Sequence, residues 1–525
     1  MRSTFHGLET SKRALFTTST ALSTVGHNIS NASTVGYTRQ RVNQTAANPL
    51  YFPGLQRVNT PGQLGTGVEY TSITRVRDSY LDLQYRRENQ AAGMWNVHKQ
   101  ALNSIEDIIN EPSGTGLGSI MDKFWNSLEV LNRDPSLLSA RIDFIGSATN
   151  MADTFRHVNT SLSVLESDAQ TGITQKLDQA NTIIANIAQL NEIIRKVEVL
   201  GDNANDYRDQ RDVLIDNLST LVDVQYAEDA NGMMSIFSGG VQVVNGAANT
   251  PLTAANVGNI TSGEVAGYKK AIEEVELIRN QLNAMVNTLV TGKVEVTLQN
   301  GMVAPYNLVA LNNVMLEDGT TVTAGQTIPA GSHVVSSITL EVNGFNGLHE
   351  LGYSLSDPAQ SGIPFFTTSD GSPTFDMSNI QVNPDIKADT SKVAASSKYV
   401  VEDGVNITIK GNSDIAHALA GLRDKTFTYP AGMTSLSSGT TDDYFRALVG
   451  DLGTRSNNAT NNFKNQENLV DGVELRRQSV SGVSLDEEMA DMIRYQHAYN
   501  AAARNMTTVD EMLDRIINQM GLVGR

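Results

Sequence analysis

Apolar residues recur every seven positions at both ends of the chain. Near the start, Leu8, Leu15, Leu22 and Ile29 keep this interval, with Ala14 and Ala21 beside them. Val25 lies one helical turn from Leu22 and Ile29. A seven-residue stripe runs along one side of a helix and suits a supercoiled partner. Thr17, Ser19, Thr20 and Ser23 are expected on the opposite, polar side. At the far end Leu485, Met492, Tyr499, Met506, Leu513 and Met520 form one row. Tyr495, Ala502, Val509 and Ile516 form a second, three positions on. Ser484 followed by Asp486, Glu487 and Glu488 predicts the helix start, a hydroxyl cap with carboxylates in the first turn. Arg515 and Gly521 predict its end.

The middle reads as helices, then strands, then a return helix. Residues 79–110 carry Trp95, Leu102, Ile105 and Ile109 on one face and stop at Pro112. Residues 120–131, 171–199 and 205–221 follow as helices, the second lined by Ile173, Leu177, Ala180, Ile184, Ile187 and Ile194. Over 222–246 the period changes to two, with Asn231-Gly232 and Asn245-Gly246 as hairpin turns. Residues 267–290 return to helix. From 292 to 428, Gly, Asn, Asp and Thr punctuate strands such as 293–298 and 333–342, a separate, mainly β domain inserted into a helical body. Residues 441–473 are helical again. The pattern gives a mainly α fold with β, nested so that the ends enclose the middle.

Composition narrows the function. The 525 residues include 57 acids and 39 Lys plus Arg, a net charge of −18, which disfavours nucleic acid as a partner. There is no Cys, so disulfides, thiolate metal sites and Cys nucleophiles are excluded. Neither a continuous apolar signal-peptide core nor a membrane-length run is present. That suits a cytoplasmic protein, whereas a Cys-free chain of this length suits one working outside the cell. The ends carry opposite charge. Arg2, Lys12, Arg13, Arg39 and Arg41 against Glu9 give +4, and seven acids against three arginines over 485–520 give −4. Opposite signs favour pairing of the two terminal helices.

Catalytic chemistry is not signalled. The eight His residues lack metal spacing, and Gly114, Gly116 and Gly118 read as a helix-to-helix turn rather than a phosphate loop. Asp209/Asp212 and Asp442/Asp443 read as acids on solvated helix faces. No cofactor or metal is expected. Seven-residue seams also occur in ordinary buried bundles; their place at the two extremes points to assembly between chains.

Residues 28–42, NISNASTVGYTRQRV, resemble the N-terminal signature of the flagellar rod and hook protein family, which follows a helix like ALSTVG at 21–26. The physics agrees: Asn28 and Asn31 suit a helix end, Gly36 permits a backbone conformation forbidden to other residues, and Tyr37 can anchor the extended chain through Arg39 and Gln40. GTGVE at 65–69 is family-like. Residues 75–89, 205–224 and 484–518 are similar to one family member, the one found between hook and filament. NGLHELG (346–352) and NPDIKAD (383–389) resemble its inserted domain.

The resemblance implies an inner coiled-coil layer from residues 1–45 and 481–525. Around it come a helical body with a β hairpin (46–291, with a return helix over 429–480) and a β-rich outer domain (292–428). It implies a structural, non-enzymatic part of an extracellular flagellum, in which copies of the chain form a short ring with hook protein and hook-associated protein 3 as neighbours. Export would run through the flagellar type III apparatus without a cleaved signal peptide and without membrane insertion. An export chaperone would bind the C-terminal helix, where Leu485, Met492, Tyr499, Met506 and Leu513 match the family segment. The assembly seam comprises these residues with Leu8, Leu15, Leu22, Val25, Ile29, Tyr495, Val509 and Ile516. Alternatives are a hook or distal-rod protein, or a secreted adhesin or surface hydrolase using the β insertion.

Overall fold

The computed structural model describes residues 5–49, 64–111, 113–114, 116–229 and 231–519. Pro112, Met520, Gly521 and Arg2, each assigned a place in the sequence pattern, lie outside the described residues. The chain is mainly helical with small antiparallel sheets, in keeping with that pattern. It begins with α1 (His6–Ser30), the antiparallel pair β1 (Gln40–Ala46) and β2 (Val68–Arg75), α2 (Ser79–Ile109), α3 (Leu117–Arg133), α4 (Leu138–Glu198) and α5 (Asn205–Leu221). A four-stranded meander follows, β3 (Gln225–Glu228), β4 (Met234–Ser238), β5 (Val241–Asn245) and β6 (Ala248–Asn249), then α6 (Gly263–Thr291). Beyond β7 (Lys293–Leu298) come further short strands with α7 (Gly344–Glu350), α8 (Pro384–Ala388) and α9 (Asp414–Gly421). The chain closes with α10 (Thr441–Ser481) and α11 (Leu485–Asp514), which ends in a π-helical turn over Arg515–Gln519.

Two expectations are corrected. α4 is one helix of 61 residues, where the pattern gave only 171–199. Ser, Thr, Asn and Asp in its first half are weak helix formers. Packing overrides them, because Phe144, Ala148, Met151, Phe155, Val158 and Leu162 are all buried along one stripe. The strand expected over 333–342 is two: His333–Val334, and Ile338–Asn343, which pairs with β7 over its whole length.

Contacts divide the chain into two compact units: residues 1–96, 173–267 and 462–525 in the first, and 97–172 and 268–461 in the second. In the first, the β3–β6 meander turns at Gly232 and Gly246, both with positive φ, as the Asn-Gly signals require. Buried Asn191 ties α4 to that sheet: its amide donates to the Met234 and Gly246 carbonyls at 2.8 Å each, and its oxygen accepts from the Met234 amide at 3.1 Å.

The second unit has an aromatic core. Phe124, Phe144, Phe345, Phe365 and Phe366 are fully buried, with ring centroids 4.6–6.3 Å apart. Beside it His349 is fully buried. The Ala394 amide donates to its Nε2 at 2.9 Å, so the ring proton sits on Nδ1 and is donated to the Ile363 carbonyl at 2.7 Å. Buried Arg141 donates to the carbonyls of Pro135, Thr390 and Val393, and loss of solvent lowers its pKa to about 10.

Candidate assembly interface

α1 and α11 pack side by side and bring the two ends of the chain together. They approach closely where Gly7 faces Val509; a Cβ on Gly7 would stand 3.1 Å from a Val509 methyl. One helical turn along, Asn505 donates to the Ser11 hydroxyl at 2.9 Å. The buried side of α1 is Ser11, Thr17, Thr18, Ala21, Thr24, Val25 and Asn28. Thr17 was expected on the polar side and is instead buried, as is Thr18. The reason is hydroxyl satisfaction: Ser11, Thr18 and Thr24 each donate to the carbonyl four residues back, and Thr17 donates to the Val68 carbonyl of β2 at 3.3 Å. Ser/Thr can line a packed face once these bonds are made.

The expected seam residues therefore separate into three groups. Val25 and Leu513 are buried. Leu8, Leu15, Leu22, Ile29, Met492, Tyr495, Met506 and Val509 are half-buried, the leucine row running along the edge of the packed side. Leu485, Tyr499 and Ile516 are exposed. Two further apolar residues of α11, Met489 and Ile493, are exposed as well, at 50% and 56%. With Leu485 they are spaced by four and so share one outward row.

The linker motif converges on Asn28. Its amide nitrogen donates to the Gln40 carbonyl at 2.9 Å and to Glu488 Oε2 at 3.0 Å. Its oxygen accepts from the Tyr37 hydroxyl at 2.8 Å and the Gln40 amide at 3.0 Å. All four of its hydrogen-bonding positions are thus filled. Arg39 then clamps the first turn of α11, donating to Glu488 Oε1 at 2.6 Å and Glu487 Oε2 at 2.7 Å, while its backbone amide donates to the Ser481 carbonyl. Ser484 caps the same turn as expected, accepting from the Glu487 amide. Burial, with Asp206, Asp209 and Glu488 nearby, raises the Tyr37 pKa, so its hydroxyl stays a donor. Gly36 adopts φ +77, and a Cβ there would fall 2.0 Å from Val213 Cγ2, so both backbone and space demand glycine. Asn31 donates to the His27 carbonyl at 3.0 Å at the end of α1.

Behind the linker lies an ion network that corrects the reading of Asp209 and Asp212 as solvated. Both are buried. Arg75 donates to Asp209 at 2.7 Å and to Asp212 at 2.8 Å; Arg86 donates to Asp212 at 3.0 Å and Asp216 at 2.6 Å. Arg77 binds Asp82, and Arg477 of α10 binds Asp82 and Asp216 at 2.9 and 2.8 Å. Four arginines thus meet four aspartates, and the Thr38 amide joins them by donating to Asp209 at 2.9 Å. Burial opposes charge on Asp212, but Arg77, Arg86 and Arg75 outweigh it and hold the carboxyl well below the carboxylate range. For Asp209 burial prevails over Arg75 and pushes the pKa up. Asp442 and Asp443 are structural too, on Arg423 and on the Thr440 hydroxyl.

The sequence pattern puts Glu488 only in the first turn of the C-terminal helix, without its bonds to Asn28 and Arg39, and does not point to Met489, Ile493 or the arginine partners. The signal for Glu488 was present: the Tyr495–Val509 row continued back by seven reaches it. Among the described residues no group of three or more His, Asp or Glu could hold a metal, and no helix is long and apolar enough to cross a membrane.

Comparison with known proteins adds to this geometry. Residues 102–366 match the model of the flagellar hook-associated protein FlgK helical domain. Residues 477–520 match the flagellar basal body rod FlgEFG protein C-terminal model, and residues 8–38 the flagella basal body rod protein model. The chain is 32% identical to flagellar hook-associated protein 1 of Bacillus subtilis (strain 168) over all of both chains. It is 24% identical to the protein of that name from Salmonella typhimurium, covering 95% of this chain and 97% of the other, and 25% identical to that of Escherichia coli (strain K12), covering 95% and 96%. The solved flagellar hook junction protein FlgK from Burkholderia pseudomallei shares the fold, with a TM-score of 0.50 at 14% identity over 76% of this chain and 100% of the other.

Proposed function

Because this chain belongs to the flagellar hook-associated protein 1 family, we propose that it is the structural piece joining hook to filament, built into a short ring of its own copies through the α1–α11 pair. Hook protein and hook-associated protein 3 are its neighbours in the axis. It works outside the cell as a structural part without enzymatic activity. It leaves the cell unfolded through the flagellar type III apparatus, with an export chaperone holding α11 beforehand. Residues 1–45 and 481–525 form the assembling layer, 46–291 with 429–480 the body, and 292–428 the outer part.

The observation that carries the reading is the state of α11. One side is already satisfied by α1, Asn28 and Arg39, yet Leu485, Met489 and Ile493 remain in water on another. Fully burying one such side chain contributes roughly 1.5–3 kcal/mol, so a neighbouring copy that covers the row is strongly favoured. The linker motif Asn28, Asn31, Gly36, Tyr37, Arg39 and Gln40 sets the angle at which the pair is presented.

Electron microscopy of cells lacking the gene tests this, with unpolymerised flagellin assayed in the medium. Complete hooks without filaments, with flagellin lost to the medium, are the expected outcome. Missing hooks would move the protein to the rod or hook, and normal filaments would refute an axial role.

A further inference from the structure

Methionine is unevenly placed in this Cys-free chain. Five of its sixteen methionines fall within residues 485–520. Elsewhere Met121, Met151, Met234, Met285, Met302 and Met377 are buried at 5% exposure or less. On α11 the pattern reverses: Met489 is 50% exposed and Met512 57%. Met489 sits between Leu485 and Ile493 in the outward row, and Met512 one turn before Ile516, which is also exposed. With no thiol to be oxidised first, accessible thioethers are the chain's most readily oxidised side chains.

The geometry points to Met489 and Met512 as oxidant-sensitive modification sites that decide whether an unassembled subunit can be incorporated; the consequence for incorporation rests on the assembly reading above. The reactant is a hydroperoxide. A sulfur lone pair attacks one peroxide oxygen, the S–O bond forms as the O–O bond breaks, and the second oxygen leaves with the proton as water or alcohol. Sulfur loses two electrons and the peroxide gains them. The product is a polar sulfoxide, in the outward row at Met489 and in the separate exposed pair with Ile516 at Met512; where either patch is desolvated on assembly, an unmatched polar group is costly. The modification is reversible, because sulfoxide reductases restore the thioether. An incorporated subunit hides both patches, so vulnerability is confined to the interval before assembly.

Met315 supplies an internal control. It is 48% exposed but lies in the second unit, far along the chain from α11. The full-length chain, oxidised to partial extent with hydrogen peroxide, is offered to isolated hook–basal bodies lacking it, and bound and unbound fractions are compared by peptide mapping. Met489, Met512 and Met315 are expected to oxidise roughly tenfold faster than Met121 and Met151. The bound fraction is expected to be depleted in Met489 and Met512 sulfoxide, with Met315 sulfoxide equal in both. Treatment with sulfoxide reductases restores binding, and Met315→Leu gives no protection. Equal Met489 and Met512 sulfoxide in both fractions, or oxidation no faster than at Met121, would overturn the proposal. Failure of the untreated chain to bind would instead count against the assembly reading, and the peptide map would still decide the modification sites.

Discussion

Asn28 and Glu488 stand 460 positions apart in sequence and meet through a 3.0 Å hydrogen bond, both side chains almost fully buried. The bond sits where α1 ends and α11 begins. It makes the two ends of the chain one element, because Glu488 also holds Arg39 and Asn28 also holds Tyr37 and Gln40.

Removing that carboxylate strands Asn28 and loosens Arg39. Glu488→Ala leaves a buried amide N–H without its acceptor and a partly buried guanidinium that keeps Glu487, which costs about 1–3 kcal/mol. Hydrogen exchange is expected to show faster opening of residues near Asn28 and in the first turns of α11, with α3 unchanged. Equal protection in variant and parent would remove Glu488 from the hub.

Gly36→Ala carries two separable penalties. Positive φ costs about 1–2 kcal/mol for a residue with a Cβ, and the collision with Val213 adds to it. Combining it with Val213→Ala relieves the collision but leaves the backbone term. Urea midpoints of the four proteins in this cycle should therefore show coupling between the sites. Strict additivity would show that no collision exists.

Asp212→Asn keeps the shape of the network and removes the charge that faces three arginines. A cost of about 3–5 kcal/mol is expected, because the cations remain buried. Glu341→Gln, which breaks the solvent-exposed pair with Lys293, should leave the melting temperature where it is. A similar shift for both would show that burial is not what matters.

His349 makes the second unit sensitive to acid. Burial pushes the imidazole down to about 4, below the value near 6.5 of the unfolded chain. The unfolded state then binds more protons between these values. The contribution is fully present above pH 6.5 and is lost as pH falls toward 4, about 3 kcal/mol in all. In a Trp95→Phe background, fluorescence of buried Trp125 reports this unit. Its urea midpoint should fall between pH 7 and pH 4.5, and His349→Gln should flatten that fall.

Much of this was legible in the sequence where one periodicity dominated. The helix over 205–221 is α5 to the residue, and Ser484 caps α11 where the hydroxyl and carboxylates said it would. Legibility failed where polar residues are buried. Thr17, Asp209 and Asp212 read as surface positions, and only the tertiary structure supplies the carbonyl, amide and arginines that satisfy them. It failed again in the first half of α4, where packing rather than propensity makes the helix.

On the function proposed above, copies assemble through the outward row of α11. Ile493→Asp challenges this at a residue already 56% exposed, where the isolated fold is expected to tolerate the change. The measurement is the amount of this variant recovered in purified hook–basal bodies, beside circular dichroism of the soluble chain. An unchanged spectrum with incorporation reduced at least tenfold is the expected outcome. Incorporation equal to the parent would show that copies do not assemble through this row.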